Sequence, residues 1–154
     1  MQKLNPDFRD ALLAFNASGA EYLIVGAFAM AAHGLARNTG DIDFWVRPTP
    51  ENARRVWNAL ADFGMPMDTC SVEELLDPDM VFQFGQPPGR VDVMTTVSGV
   101  TFDDAWAARV SLPLDGVPVW VMSRQHLVAN KRASGRPKDA ADVHTLESER
   151  RGRA

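Results

Sequence analysis

The chain has 154 residues, 45% of them hydrophobic and 23% charged, which suits one globular domain with a real core and requires no second. No apolar run nears the roughly 20 residues of a membrane span, and residues 1–6 lack the apolar stretch of a signal peptide. The lone Cys70 excludes an internal disulfide; it reads as a small apolar loop residue, and a cytoplasmic setting is expected.

In chain order, Asn5-Pro6 predicts a helix N-cap with proline in the first turn. Phe8, Leu12, Leu13 and Phe15 follow at helical spacing, and Ser18-Gly19 ends the run. Residues 21–25 (EYLIV) form a short strand that hands over at Gly26 to an Ala- and Met-rich helix over 27–33, stopped by Gly34. Residues 41–47 are a strand. Thr49-Pro50 opens a helix with Val56, Trp57, Leu60 and Phe63 as its buried stripe and Gly64 as its stop. Residues 65–80 read as loop, with one turn of helix at most. Two strands over 81–84 and 90–95 pair across the 85–89 turn, and Thr101 caps a short helix through Trp106. Asp115-Gly116 between 110–114 and 117–122 is a strong hairpin signal. Ser123 caps a helix to Ala133, Ser134-Gly135 breaks it, and a last helix runs from Pro137 to about residue 149. Strands and helices that mix without strict alternation indicate an α+β, mixed-sheet domain.

The chemistry is concentrated in Asp41-Ile42-Asp43. Strand side chains alternate, so the two carboxylates share one face while Ile42 and Phe44 point into the core. Paired acids on a half-buried strand are costly without a cation, and an all-oxygen site suits Mg²⁺ with substrate phosphates. Asp92, between Val91 and Val93, is a third strand-borne acid. The Gly26-Ala27 turn from strand to helix offers backbone N–H groups to a phosphate, although many such turns carry glycine for steric reasons alone. The glycine spacing of a dinucleotide fingerprint and the ending of a P-loop are both lacking.

The net charge of −4 is uneven: residues 124–154 hold eight Lys or Arg against four acids, leaving −8 for the rest. A basic end opposite an acidic cluster suits a phosphate-bearing substrate. Within it, Lys131, Arg136 and Lys138 gather around one helix break, whereas Arg150, Arg151 and Arg153 read as a frayed, solvated tail.

The Gly26-Ala27 turn, Asp41-Ile42-Asp43 and the isolated Asp92 together resemble the DNA polymerase beta-type nucleotidyltransferase superfamily. Ala29, His33-Gly34, Arg37 and Thr39 ahead of the Asp pair are similar to a small bacterial branch related to AbiEii-type toxins. So is the late segment Lys131, Arg136, Lys138, Asp139, Asp142. The likeness covers residues 21–143. It implies a polymerase beta-like mixed sheet flanked by helices, one domain over 1–149 with a basic tail over 150–154. It also implies that Asp41, Asp43 and Asp92 hold two Mg²⁺ (or Mn²⁺) ions, with Asp92 drawing a proton from the attacking hydroxyl. By the same resemblance Gly26, Ala27, Arg37, Thr39, Lys131, Arg136 and Lys138 serve the nucleotide. Ala27 stands where the superfamily commonly has Ser or a second Gly, which keeps the N–H but loses a hydroxyl contact.

Plainer readings stand beside these. Asp139 and Asp142 suit a helix N-terminus, or else orient Lys131, Lys138 or Arg136. His33, His126 and His144 have no metal-ligand spacing. The tryptophans read as core, with Trp45 also placed to line a base pocket. The expected activity is transfer of NMP from an NTP to a hydroxyl of RNA, protein or a small molecule, within a toxin–antitoxin pair if the branch resemblance holds. The alternatives are a non-catalytic binding module on the same fold and an acidic cluster with no metal role.

Overall fold

The computed structural model describes residues 4–35 and 39–152, without the side chains of 149–152. Arg37 therefore lies outside the described residues. Six strands form one sheet in the order β3-β4-β2-β1-β6-β5, from β1 (Tyr22–Val25), β2 (Asp41–Val46), β3 (Val81–Phe84), β4 (Arg90–Met94), β5 (Val110–Leu114) and β6 (Val117–Val121). The β2–β4 and β1–β6 pairs are parallel and the other three antiparallel. This is the mixed sheet expected.

The helices are α1 (Pro6–Ser18), α2 (Gly26–Ala32), α3 (Pro50–Phe63), α4 (Phe102–Ala107), α5 (Arg124–Ser134) and α6 (Pro137–Gly152), with one 3₁₀ turn at Glu74–Leu76. Their ends follow the local chemistry. The Asn5 side chain accepts from Asp7 N–H at 2.8 Å, and Ser123 and Thr101 cap α5 and α4 in the same way. Gly19, Gly64 and Gly135 close α1, α3 and α5 in the left-handed conformation. Helix α6 continues past residue 149, so the first residues of the expected tail are helical.

One face of the sheet carries Tyr22, Ile24, Ile42, Phe44, Val91 and Val93, all buried, and α1 packs there beside α3. Phe15 of α1 stacks on Phe44 at 4.1 Å between ring centres and meets Tyr22 edge-on at 5.7 Å. The buried side of α3 differs from the expected stripe. Asn52, Ala53, Val56, Ala59 and Leu60 are buried, while Trp57 and Phe63 are only half-buried. Small alanines let α3 approach closely, and Asn52 explains the rotation. It accepts from Glu21 N–H at 2.7 Å and donates to the carbonyls of Glu21 and Arg47, joining β1, β2 and α3. A buried amide with all these partners stabilises the corner that an orphaned one would weaken.

The opposite face is shared by two regions. Over Trp45, Phe102 and Trp106 of α4 build an aromatic stack, and the Arg109 guanidinium lies between Trp106 and Trp120, 3.9 and 4.3 Å from their ring centres. Trp45 is 2% exposed and donates to Thr95 O at 3.2 Å, so it belongs to the core and lines no base pocket. Beyond this stack the face opens at Asp41, Asp43 and Asp92. Helices α5 and α6 pack on each other, and α5 is fixed by Asn130, which donates to Ser98 O at 2.9 Å. No described helix is long and apolar enough to cross a membrane.

Candidate active site

Parallel pairing of β2 with β4 sets Asp41 opposite Arg90 and Asp43 opposite Asp92. Because side chains two apart share a face, this register gathers all four onto one patch. Oxygens of Asp41, Asp43 and Asp92 lie within 4.8 Å of one another. Asp92 is buried and the other two half-buried. Convergence of the three acids was expected from sequence, and the structure brings them together.

The surrounding groups hold these carboxylates in place. Thr39 donates its hydroxyl to Asp41 Oδ1 at 2.6 Å, so its contact is with the acid strand itself. Arg90 donates from Nη2 to Asp41 Oδ2 at 2.8 Å and from Nε to Asp92 Oδ1 at 2.8 Å. Asp43 is the acid left most exposed to its neighbours' charge. Burial, then the like charges of Asp41 and Asp92, push its pKa from 3.8 up to about 7, with Arg90 offsetting only part of this. A donor set of three such carboxylates fits a hard dication, which would relieve the repulsion.

The raised Asp43 pKa predicts a pH dependence. In the unfolded chain Asp43 ionises in the ordinary carboxylate range, in the fold only near pH 7. Its contribution is fully present below about pH 4 and is lost as pH rises through 7. Without metal, Asp43→Asn should therefore match wild type at pH 4 and exceed it above pH 7. The gain should be on the order of 2 kcal/mol once solvent screening is allowed for. Chemical denaturation at both pH values checks this, and Mg²⁺ should stabilise only wild type.

Gly26 sits directly against this patch. It starts α2 at φ +69°, and Val25 before it offers no capping side chain, leaving the first N–H groups of α2 to other partners. A Cβ on Gly26 would lie 2.2 Å from Asp43 Oδ2. The strand-to-helix glycine is thus required both by backbone conformation and by contact with Asp43, as the steric reading of this turn has it. Gly26→Ala should cost about 2 kcal/mol or more from the left-handed strain alone. It should also abolish any Mg²⁺-dependent rise in melting temperature by displacing Asp43. A thermal melt with and without Mg²⁺ checks both. Ala27, half-buried, occupies the second helical position.

The basic residues divide. Lys131 is 7% exposed, its ammonium 2.9 Å from Asp142 and 3.5 Å from Asp139. Both acids are buried, so the ion-pairing reading of Asp139 and Asp142 describes their contacts. Burial lowers the Lys131 pKa, opposed by the attraction of Asp139. Asp139 also accepts from Ser134 and from Arg136 Nε, the latter at 2.6 Å. Burial would raise its carboxyl, but these hydrogen bonds and the Lys131 charge hold it down at about 2. Arg136 is itself 69% exposed, and its bond to Asp139 first, with a smaller pull from Asp43, raises its pKa. Lys138 is exposed on the same corner. The ring of His33 lies 2.8 Å from Met122 O, and His126 and His144 sit on α5 and α6.

Sequence reasoning missed Arg90 as a member of the site. The signal was present: Arg90 and Asp92 are two apart on one strand and so share a face.

The family described as nucleotidyltransferase of unknown function (DUF6036) matches residues 4–148, and the chain belongs to it. A solved structure from Thermotoga maritima, provisionally assigned as a nucleotidyltransferase, is similar at a TM-score of 0.60 and 15% identity, over 92% of this chain and 91% of that one. At that identity the likeness bears on the fold, which is the nucleotidyltransferase-like α+β arrangement. No curated protein matches the chain.

Proposed function

We propose that the chain transfers a nucleoside monophosphate from an NTP to a hydroxyl acceptor with release of pyrophosphate, using two Mg²⁺ ions or Mn²⁺ in their place. The observation that carries this reading is the register of Asp43 opposite Asp92, which draws three carboxylates from two strands into one donor set. When bound, the ions would neutralise phosphate charge and align an in-line displacement.

The chain's own residues take the following parts. Asp41, Asp43 and Asp92 hold the ions, and Thr39 keeps Asp41 turned toward them. Asp92 also accepts the proton of the acceptor hydroxyl. The N–H groups of Gly26 and Ala27 meet the triphosphate at the start of α2. Arg136 and Lys138 approach it from the α5–α6 corner, where both are exposed. Lys131 contributes from below: it holds Asp139, which in turn holds Arg136. Arg37 joins this set on resemblance alone.

The acceptor is RNA, a protein side chain or a small molecule. The likeness of the late basic segment to AbiEii-type toxins favours a toxin role with an antitoxin partner, for which an adjacent antitoxin gene is the expected sign. Incubation with each labelled NTP, Mg²⁺ and either total RNA or total protein tests the activity. Label should pass to one fraction and depend on Asp92. Binding of Mg²⁺-NTP with no transfer to any fraction would favour a non-catalytic module instead.

A further inference from the structure

Arg90 is the cation already inside the acid patch. Its guanidinium reaches Asp41 Oδ2 at 2.8 Å, Asp92 Oδ1 at 2.8 Å and Asp92 Oδ2 at 3.1 Å, so it spans β2 and β4. These oxygens belong to the same carboxylates whose atoms would ligate a metal. The placement is fixed by the fold: Arg90 begins β4, pairs with Asp41 across the ladder and shares a face with Asp92 two residues on. A planar fork suits this bridging, since it serves two carboxylates at once where an ammonium offers one compact charge.

Resting on the reading of this patch as a metal centre, we propose that Arg90 is a built-in counter-cation that competes with the divalent ion for Asp41 and Asp92 and so sets the metal affinity of the site. An entering ion must take lone pairs that Arg90 occupies, and the guanidinium must turn away, which its partial exposure permits. Arg90 then acts as a positioning residue for the carboxylates and a gate for the metal. Sites of this design stay weakly loaded until something adds to the ion's side of the balance, and the phosphates of an incoming NTP bring such ligands.

The test is binding of Mn²⁺ alone, read by electron paramagnetic resonance on the full chain, with folding checked by circular dichroism. Charge-assisted hydrogen bonds to Asp41 and Asp92 are lost with the guanidinium, so Arg90→Gln should tighten the Mn²⁺ dissociation constant roughly tenfold or more. Arg90→Lys separates competition from net charge, because it keeps the charge and loses the fork. Tighter binding in Arg90→Lys supports the proposal, and it carries the comparison if Arg90→Gln does not fold. A wild-type dissociation constant in Arg90→Lys, or no tightening in a folded Arg90→Gln, overturns it. Asp43→Asn serves as the control for the metal centre itself. If wild type and Asp43→Asn bind Mn²⁺ equally, the metal reading fails and Arg90 has nothing to compete with.

Discussion

Asp92→Asn is expected to lower nucleotidyl transfer by about a hundredfold to ten-thousandfold, the range that loss of a positioned base removes. The substitution is nearly isosteric, so the space that the side chain fills beside Asp43 is unchanged. It also removes one of the like charges that raise Asp43, which offsets the weakened contact with Arg90. The fold should therefore persist, and a thermal melt close to wild type would show that the lost rate is chemical. Initial rates of label transfer at saturating Mg²⁺ and NTP measure the effect. A variant that retains activity within a few fold would mean that the reaction is centred elsewhere on the molecule.

The parts of this fold that were legible in the sequence are those with local causes. Asn5, Thr101 and Ser123 cap helices through their own side chains, and Asp115-Gly116 turns a hairpin within two residues. The shared face of Asp41 and Asp43 follows from strand alternation alone. What stayed hidden depends on which strand lies beside which. Nothing local says that β4 pairs with β2 in parallel, yet that register puts Arg90 against Asp41. Asn52 looks like an ordinary helix-surface residue until β1 and β2 supply its partners. Lys131 is similar. Its helical position reads equally as surface or as site, and only the closing of α6 onto α5 shows that its ammonium is buried between two carboxylates.

That burial predicts a large effect on stability. Lys131→Met should destabilise the fold by about 3–5 kcal/mol, the cost of leaving a buried ion pair with one partner. For a chain of this size the melting temperature should fall by roughly 10 °C or more. The loss falls on both carboxylates that meet the ammonium, and Asp139 keeps its bonds to Arg136 and Ser134. Adding Asp142→Asn to Lys131→Met should recover part of the stability, since one of the two buried carboxylates that face the lost ammonium is then neutral. Nucleotide binding measured well below the melt separates this role from direct phosphate contact. With Lys131 acting through Asp139 and Arg136, the single variant should weaken Mg²⁺-NTP binding only modestly, and Arg136→Ala should weaken it more. An unchanged melt together with a sharp loss of NTP affinity in Lys131→Met would instead put the ammonium on the triphosphate.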